Sequence, residues 1–365
     1  MPRWLPLLAL LSCGDWPAAL VGAERAGIVG GEPAPDDDEV YLLLVEGSGG
    51  ESTRCTATLI APRTLLTAAH CVDPRMLGAA SVTLRATAAD RVEDVDWQTD
   101  VVTVTDVRWP AAWNVATLEG DLALLRLAEA PSTPPKRWSH TRLEPHASRP
   151  VRAVGYGSAG PGDDGGVRRS VELAVRELTE QTFYLGDERS KGVCNGDSGG
   201  PALLRFEDGV ERVVGVHSFT TTPACTSGAA TRVDAWTGFI ADWLTQHEDV
   251  CGEDGVCALS SCAAPDPDCV ADGAPCDGPW QCRGRRCERD LQVATPYCTA
   301  TCADEARCPG SLRCEPHTGL CRLPPLPLVQ PGQPCAPGAH FCTDGSVCEG
   351  HSLASARCAW PCRSS

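Results

Sequence analysis

The chain has 365 residues, enough for two or three domains, and its 42% hydrophobic and 22% charged residues exclude wholesale disorder. A formal net charge of −17 makes the surface anionic and argues against nucleic acid or an anionic membrane as partner. Of 22 cysteines, one is Cys13, four lie between residues 28 and 247, and 17 fall from Cys251 onward, a density that persists as disulfides only in an oxidising compartment, so export is expected.

At the start, Arg3 precedes the apolar run Leu5 to Leu11, too short to span a bilayer but suited to a leader over residues 1–23. Two cleavage readings follow. Leu10-Leu11-Ser12-Cys13 resembles the lipobox of bacterial lipoproteins, which would lipidate Cys13 and supply a lipid anchor, whereas Val21-Gly22-Ala23 fits ordinary signal cleavage. The destination is then secretion or the bacterial cell envelope, and residues 24–27 remain as a short propeptide.

Over residues 28–247, apolar runs at Val40 to Val45, Cys55 to Ile60, Val101 to Val107, Val171 to Val175 and Val213 to Phe219 are punctuated by Gly, Pro and Asp. That is the pattern of many short strands. Val233, Trp236, Ile240, Trp243 and Leu244 recur at helical spacing, so one helix should close the segment. An all-β fold, an antiparallel sandwich or barrel with a C-terminal helix, is expected.

Three motifs fall in order on this pattern: Thr67-Ala68-Ala69-His70-Cys71, Gly120-Asp121-Leu122-Ala123-Leu124-Leu125 and Gly196-Asp197-Ser198-Gly199-Gly200-Pro201, with Ile28-Val29-Gly30-Gly31 ahead of them. A serine hydroxyl is a weak nucleophile at neutral pH and needs a neighbouring base. Histidine, with a reference pKa of ~6.5, can take the proton and return it, and an aspartate can fix its tautomer. Each motif alone could be a mere turn or strand start. As an ordered set they resemble the trypsin and chymotrypsin family of serine proteases, over essentially all of residues 28–247.

The resemblance implies a chymotrypsin-like double antiparallel β-barrel with a C-terminal helix, and an exported serine endopeptidase that hydrolyses protein and peptide substrates through an acyl-enzyme, with no cofactor and no metal. His70, Asp121 and Ser198 would form the triad, and the N–H groups of Gly196 and Ser198 the oxyanion hole. Cys55 would pair with Cys71 and Cys194 with Cys225, and a new N-terminus at Ile28 would pair with Asp197. Gly27 precedes that junction, with Arg25 two positions earlier, where precursors of the family usually carry a basic residue, so trypsin-like self-activation is not expected.

Gly192 stands six residues before Ser198, where trypsin-type enzymes place an aspartate, so a preference for Arg or Lys is not expected. Gly192-Val193-Cys194 resembles the leukocyte elastases, and alignment adds Ser218 to Thr220 and Gly228 to the pocket walls, with Thr220 replacing a glycine of chymotrypsin-type members. Cleavage after small or medium aliphatic residues such as Ala or Val follows. His217 sits where glutamate-specific members hold a histidine for the substrate carboxylate. Val193 replaces the hydroxyl residue that would share that carboxylate, so a buried histidine hydrogen-bonded within its strand is expected, with Glu preference as the alternative.

In the tail, residues 251–269 form a short Cys-rich segment, 273–321 a Cys-rich repeat, 323–334 a Pro-rich linker and 335–365 a truncated second repeat. The cysteines from Cys276 are separated by 5, 4, 10, 3, 5, 5 and 6 residues and those from Cys335 by 6, 5, 9 and 3, and both sets begin Gly-x-Pro-Cys. No cysteine pair is separated by two residues, so disulfides are expected rather than zinc. Without Cys13 the cysteine count is odd, leaving one to be free, intermolecular or modified. The repeats resemble small cysteine-rich modules appended to secreted bacterial proteins, with surface or ligand binding as their implied role.

Overall fold

The structure, a computed structural model, describes residues 28–160, 163–187 and 189–252, most of 254–324, and four short strand segments beyond 324. The leader, Cys13 and residues 24–27 lie outside the described residues.

The alternating runs fold into two β-units. The first is a closed barrel of β2 (Val40–Gly47), β3 (Ser52–Ala61), β4 (Thr64–Thr67), β5 (Val82–Thr87), β6 (Val102–Arg108) and β7 (Ala123–Leu127), in the order β2-β3-β4-β7-β6-β5. The second is an eight-stranded half-barrel in which β1 (Glu32–Pro33) joins β8 (Val151–Gly155), β9 (Arg169–Leu173), β10 (Val175–Leu178), β11 (Thr182–Gly186), β12 (Pro201–Arg205), β13 (Glu211–Thr220) and β14 (Ser227–Arg232). The predicted run at 171–175 spans the end of β9 and the first residue of β10. Every pairing among these strands is antiparallel, so short turns suffice to connect neighbours.

Each unit has its own core. Leu42, Leu59, Leu66 and Leu124 are buried in the first, and Ile28, Val151, Phe183 and Leu204 in the second; each such side chain contributes about 1.5–3 kcal/mol by leaving water. Arg168 ties the units together from full burial, donating to the carbonyls of Ala34 and Ala88 at 2.9 Å and of Pro35 at 3.0 Å and pairing with Asp38 and Asp90.

The helical spacing read at 233–244 becomes α3 (Thr237–His247), preceded by α1 (Ala69–Val72) and α2 (Pro74–Leu77) earlier in the chain. Its apolar face buries Ile240, Trp243 and Leu244 in the first core, and Trp243 Nε1 donates to Thr64 Oγ1 at 3.1 Å. No helix among the described residues is long and apolar enough to cross a membrane.

Beyond α3 the chain is held by disulfides: Cys257–Cys269, Cys276–Cys287, Cys282–Cys298, Cys302–Cys314 and Cys308–Cys321. The first part of this region packs on the barrel. Val250 and Val256 are buried in the first core, Trp280 packs against it, and Trp138 Nε1 donates to the Asp254 carbonyl at 3.1 Å.

Candidate active site

The three motifs converge at one cleft. His70 lies on α1 directly after β4, Asp121 lies two residues before β7, which pairs with β4, and Ser198 lies in the turn that leads into β12. The cleft is lined by His70, Val193, Asn195, Ser198, His217, Ser218 and Thr220, together with Met76, Leu118 and Phe219.

Asp121 is fully buried and accepts three bonds. Its Oδ1 takes the main-chain N–H of His70 at 2.9 Å, and its Oδ2 meets His70 Nδ1 at 2.8 Å and the hydroxyl of Ser218. A carboxylate only accepts, so this contact puts the ring proton on Nδ1 and leaves Nε2 as the basic nitrogen. Ser198 Oγ donates to the carbonyl of Ser218 at 3.5 Å, the outer limit of such a bond.

Ser218 reaches Asp121 because of a β-bulge. In the β13–β14 ladder His217 faces Ala230 and Phe219 faces Ala229, so Ser218 is the extra residue. A bulge re-aims the side chain it carries, and here the hydroxyl turns to the carboxylate. The sequence reading placed Ser218 in the pocket wall and gave no sign of this second contact.

The turn before β12 depends on glycine. Gly199 has φ +84°, and a Cβ there would lie 2.1 Å from Thr67 Oγ1, so no other residue fits. Gly196 has φ +97°. Among the described residues, neither the Gly196 nor the Ser198 N–H donates to a protein acceptor, which leaves two donors beside the serine for an incoming negative oxygen. The segment is braced by the Cys194–Cys225 disulfide, as the histidine segment is by Cys55–Cys71.

Asp197 turns inward. It is fully buried, and accepts from the N–H of Cys194 at 2.8 Å and of Gly157 at 2.7 Å. Burial pushes its carboxyl up to about 7 against those two donors. No cationic side chain among the described residues pairs with it. Ile28 is fully buried in the same half of the molecule, and Val29 bridges to Gly192, whose N–H donates to the Val29 carbonyl at 3.2 Å. Ile28 has φ +45°, a costly region for a β-branched residue.

Of the pocket residues read from sequence, Val193, His217, Ser218 and Thr220 line the cleft. Gly192 packs on the backbone of Cys225 and Thr226, and Gly228 faces the Val193 side chain, where a Cβ would come within 2.6 Å of it. His217 is buried as expected, but neither ring nitrogen has a hydrogen-bond partner among the described residues. The expected bond within the strand is missing because the adjacent main-chain groups bond each other: the His217 N–H donates to Gly200 and its carbonyl accepts from Gly199. Burial pushes the imidazole down to about 4 against an opposing pull from the Pro201 backbone, so it is neutral at pH 7.

The His and Cys groups close enough to share an ion, Cys55–His70–Cys71 among them, are built on disulfide sulfurs, which offer no thiolate. Sequence reasoning also missed Met76, which reaches the cleft from α2, and Leu118, which reaches it from a loop, neither of them in a motif.

Comparison with known proteins agrees with this geometry. The trypsin family profile matches residues 28–243. The chain is similar to Serine protease 1 of Drosophila melanogaster, 28% identical over 244 residues that cover 61% of this chain and 86% of the relative. It is similar also to a chymase of Papio hamadryas, 30% identical over 221 residues (54% and 82%), and to chymotrypsin-C of Mus musculus, 26% identical over 272 residues (64% and 93%).

Proposed function

The chain belongs to the trypsin family of serine proteases, hydrolases that act on protein substrates, and from that premise we propose that it cuts peptide bonds through an acyl-enzyme on Ser198. The observation that carries the reading is the 2.8 Å contact between His70 Nδ1 and Asp121 Oδ2 in the cleft that also holds Ser198. Rotation about χ1 turns the Ser198 hydroxyl from the Ser218 carbonyl to His70 Nε2. His70 takes that proton as Oγ attacks the substrate carbonyl, and Asp121 stabilises the imidazolium. The N–H groups of Gly196 and Ser198 hold the oxyanion. His70 then hands the proton to the leaving amine, and water repeats the sequence on the acyl-enzyme. Hydrolysis of a peptide ester or amide by the cleaved full-length chain, abolished by Ser198→Ala, is expected; turnover that survives this substitution overturns the reading.

Activation is by cleavage before Ile28. The freed ammonium would supply the cation that the buried Asp197 carboxylate lacks, and a buried charge without a partner is costly. Release from the Gly27–Ile28 bond also relieves the constraint on the Ile28 backbone.

We infer a preference for small or medium aliphatic residues, since the apolar Val193 side chain lines the cleft and packs against Gly228. A second reading, cleavage after Glu, is favoured by the two unpartnered nitrogens of buried His217 beside Thr220 in the same cleft. A substrate carboxylate would give that imidazole a partner. One methylene in an apolar pocket is worth only ~1–3 kcal/mol, so an aliphatic preference is graded, whereas pairing with a buried polar group discriminates more steeply.

Export is supported by the disulfides on both sides of α3. The leader, with either lipidation of Cys13 or cleavage after Ala23, directs the chain to the envelope or the medium. The repeats at 273–321 and 335–365 act as surface- or ligand-binding modules joined by the Pro-rich linker at 323–334.

A further inference from the structure

We propose that Thr56 is a positioning residue whose side-chain hydroxyl holds the Gly196–Asp197 peptide, the one that lies between the two oxyanion-binding N–H groups. The inference rests on the assignment of the Gly196 and Ser198 N–H groups to the oxyanion.

Gly196 sits at φ +97° with no Cβ, so little within the residue itself fixes the two peptide planes that flank it. Each plane is held from outside. The plane before Gly196, which carries its N–H, is held by the Asn195 carbonyl, which accepts from the Ser158 N–H at 2.8 Å. Because a trans peptide points its N–H opposite to its C=O, that bond aims the Gly196 N–H away from Ser158 and towards the cleft. The plane after Gly196 is held at both ends: its Asp197 N–H donates to the Cys194 carbonyl at 3.0 Å, and its Gly196 carbonyl accepts from Thr56 Oγ1 at 2.8 Å.

The hydroxyl is itself oriented. It accepts from the Tyr156 N–H at 3.1 Å, which directs its own hydrogen at Gly196. Thr56 is fully buried on β3, so water does not compete for these groups, and its β-branched side chain has few rotamers to lose. The same residue grips the nucleophile through its backbone: the Thr56 N–H donates to the Ser198 carbonyl at 2.8 Å, and the Thr56 carbonyl accepts from Thr67 Oγ1 at 2.8 Å. One residue of the first barrel thus anchors the carbonyls of Gly196 and Ser198, in the peptides that follow the two oxyanion donors of the second. Main-chain N–H groups of β3 could be supplied by any residue but proline, whereas the bond to Gly196 needs a hydroxyl.

The test compares Thr56→Val, which keeps the shape and removes the donor, with Thr56→Ser, which keeps the donor, in the cleaved full-length chain on one peptide amide substrate. Losing a whole oxyanion donor costs about 10²–10³ in kcat, and a donor that is misaimed rather than lost should cost about ten- to a hundredfold. We expect that loss in kcat for Thr56→Val with KM within about twofold, weaker binding of a peptide aldehyde by a similar factor, and Thr56→Ser within about threefold of the parent. If Val prevents folding, Thr56→Ala takes its place against Ser in the same measurements. Parental kcat in Thr56→Val, or an equal loss in Thr56→Ser, overturns the role of the hydroxyl while leaving the site reading intact. Parental turnover in a Ser198→Ala control overturns the site reading itself and the proposal with it.

Discussion

The hydroxyl of Ser218 and the Nδ1 of His70 meet the same oxygen, Oδ2 of Asp121, while Oδ1 is taken by the His70 main-chain N–H. A buried carboxylate with every contact directed at one histidine or its support acts as a fixed acceptor. It orients the ring and stabilises positive charge on it, and has no need to move a proton itself.

Asp121→Asn keeps the shape but can offer an N–H to Nδ1, which would put the ring proton on Nε2 and leave no base facing Ser198. We expect kcat to fall by about 10⁴ with KM little changed, the loss a wrong tautomer causes in such triads. Ser218→Ala removes one of the bonds to the buried carboxylate and should cost about tenfold. Steady-state kinetics at saturating substrate check both.

The buried Asp197 predicts a pH signature for the uncleaved chain. Its folded pKa of about 7 exceeds the unfolded value of ~3.9, so between these values the folded state keeps a proton that the unfolded state has lost. Its contribution to stability is present below pH ~3.9 and is lost as pH rises through about 7. His217, lowered to about 4, acts with opposite sign, its contribution rising with pH up to ~6.5. The comparison is therefore with Asp197→Asn, where the His217 contribution persists. Urea midpoints of the uncleaved parent should decline relative to this variant between pH 4 and 7, and parallel curves would contradict the account.

His217→Leu separates the two specificity readings. If the pocket takes aliphatic residues, kcat/KM on Ala and Val substrates should stay within about threefold, and stability should rise by about 1 kcal/mol as two unpartnered buried nitrogens disappear. If it takes Glu, cleavage after Glu leads in the parent and is lost in the variant. A panel of peptides that differ only in the residue before the scissile bond, read with both proteins, decides the matter.

A chain ended at residue 247 should be less stable than one ended at 324. It loses Val250 and Val256 from the first core, the bond from Trp138 to Asp254, and Glu248, which accepts from Thr64 Oγ1 at 2.6 Å. Two buried valines alone account for about 3 kcal/mol or more. Thermal unfolding of the two chains would show the difference, and equal midpoints would mean the packing beyond α3 contributes nothing.

The fold and the triad motifs were legible because strand alternation, the helical spacing at 233–244 and three short motifs are local patterns. What escaped is non-local. The bulge that turns Ser218 to Asp121 is a register shift between β13 and β14, invisible in either strand alone. Thr56 reads as one more polar residue in a strand until Gly196, 140 positions away, arrives beside it. The unpartnered nitrogens of His217 follow from neighbours that satisfy one another. The packing of Val250, Val256 and Trp280 on the first barrel was hidden because the cysteine boundary at 251 separates compositions, and composition does not report contact.

The central claim is that Ser198 is a nucleophile activated by His70 and not a relic on a binding platform. The most direct measurement is titration of the full-length chain, cleaved before Ile28, with a serine-directed phosphonylating reagent, followed by mapping of the modified peptide. The account predicts one phosphonyl group per chain, on Ser198, with labelling slowed by orders of magnitude in His70→Ala. A chain that stays unlabelled, or one labelled equally fast without His70, would contradict it.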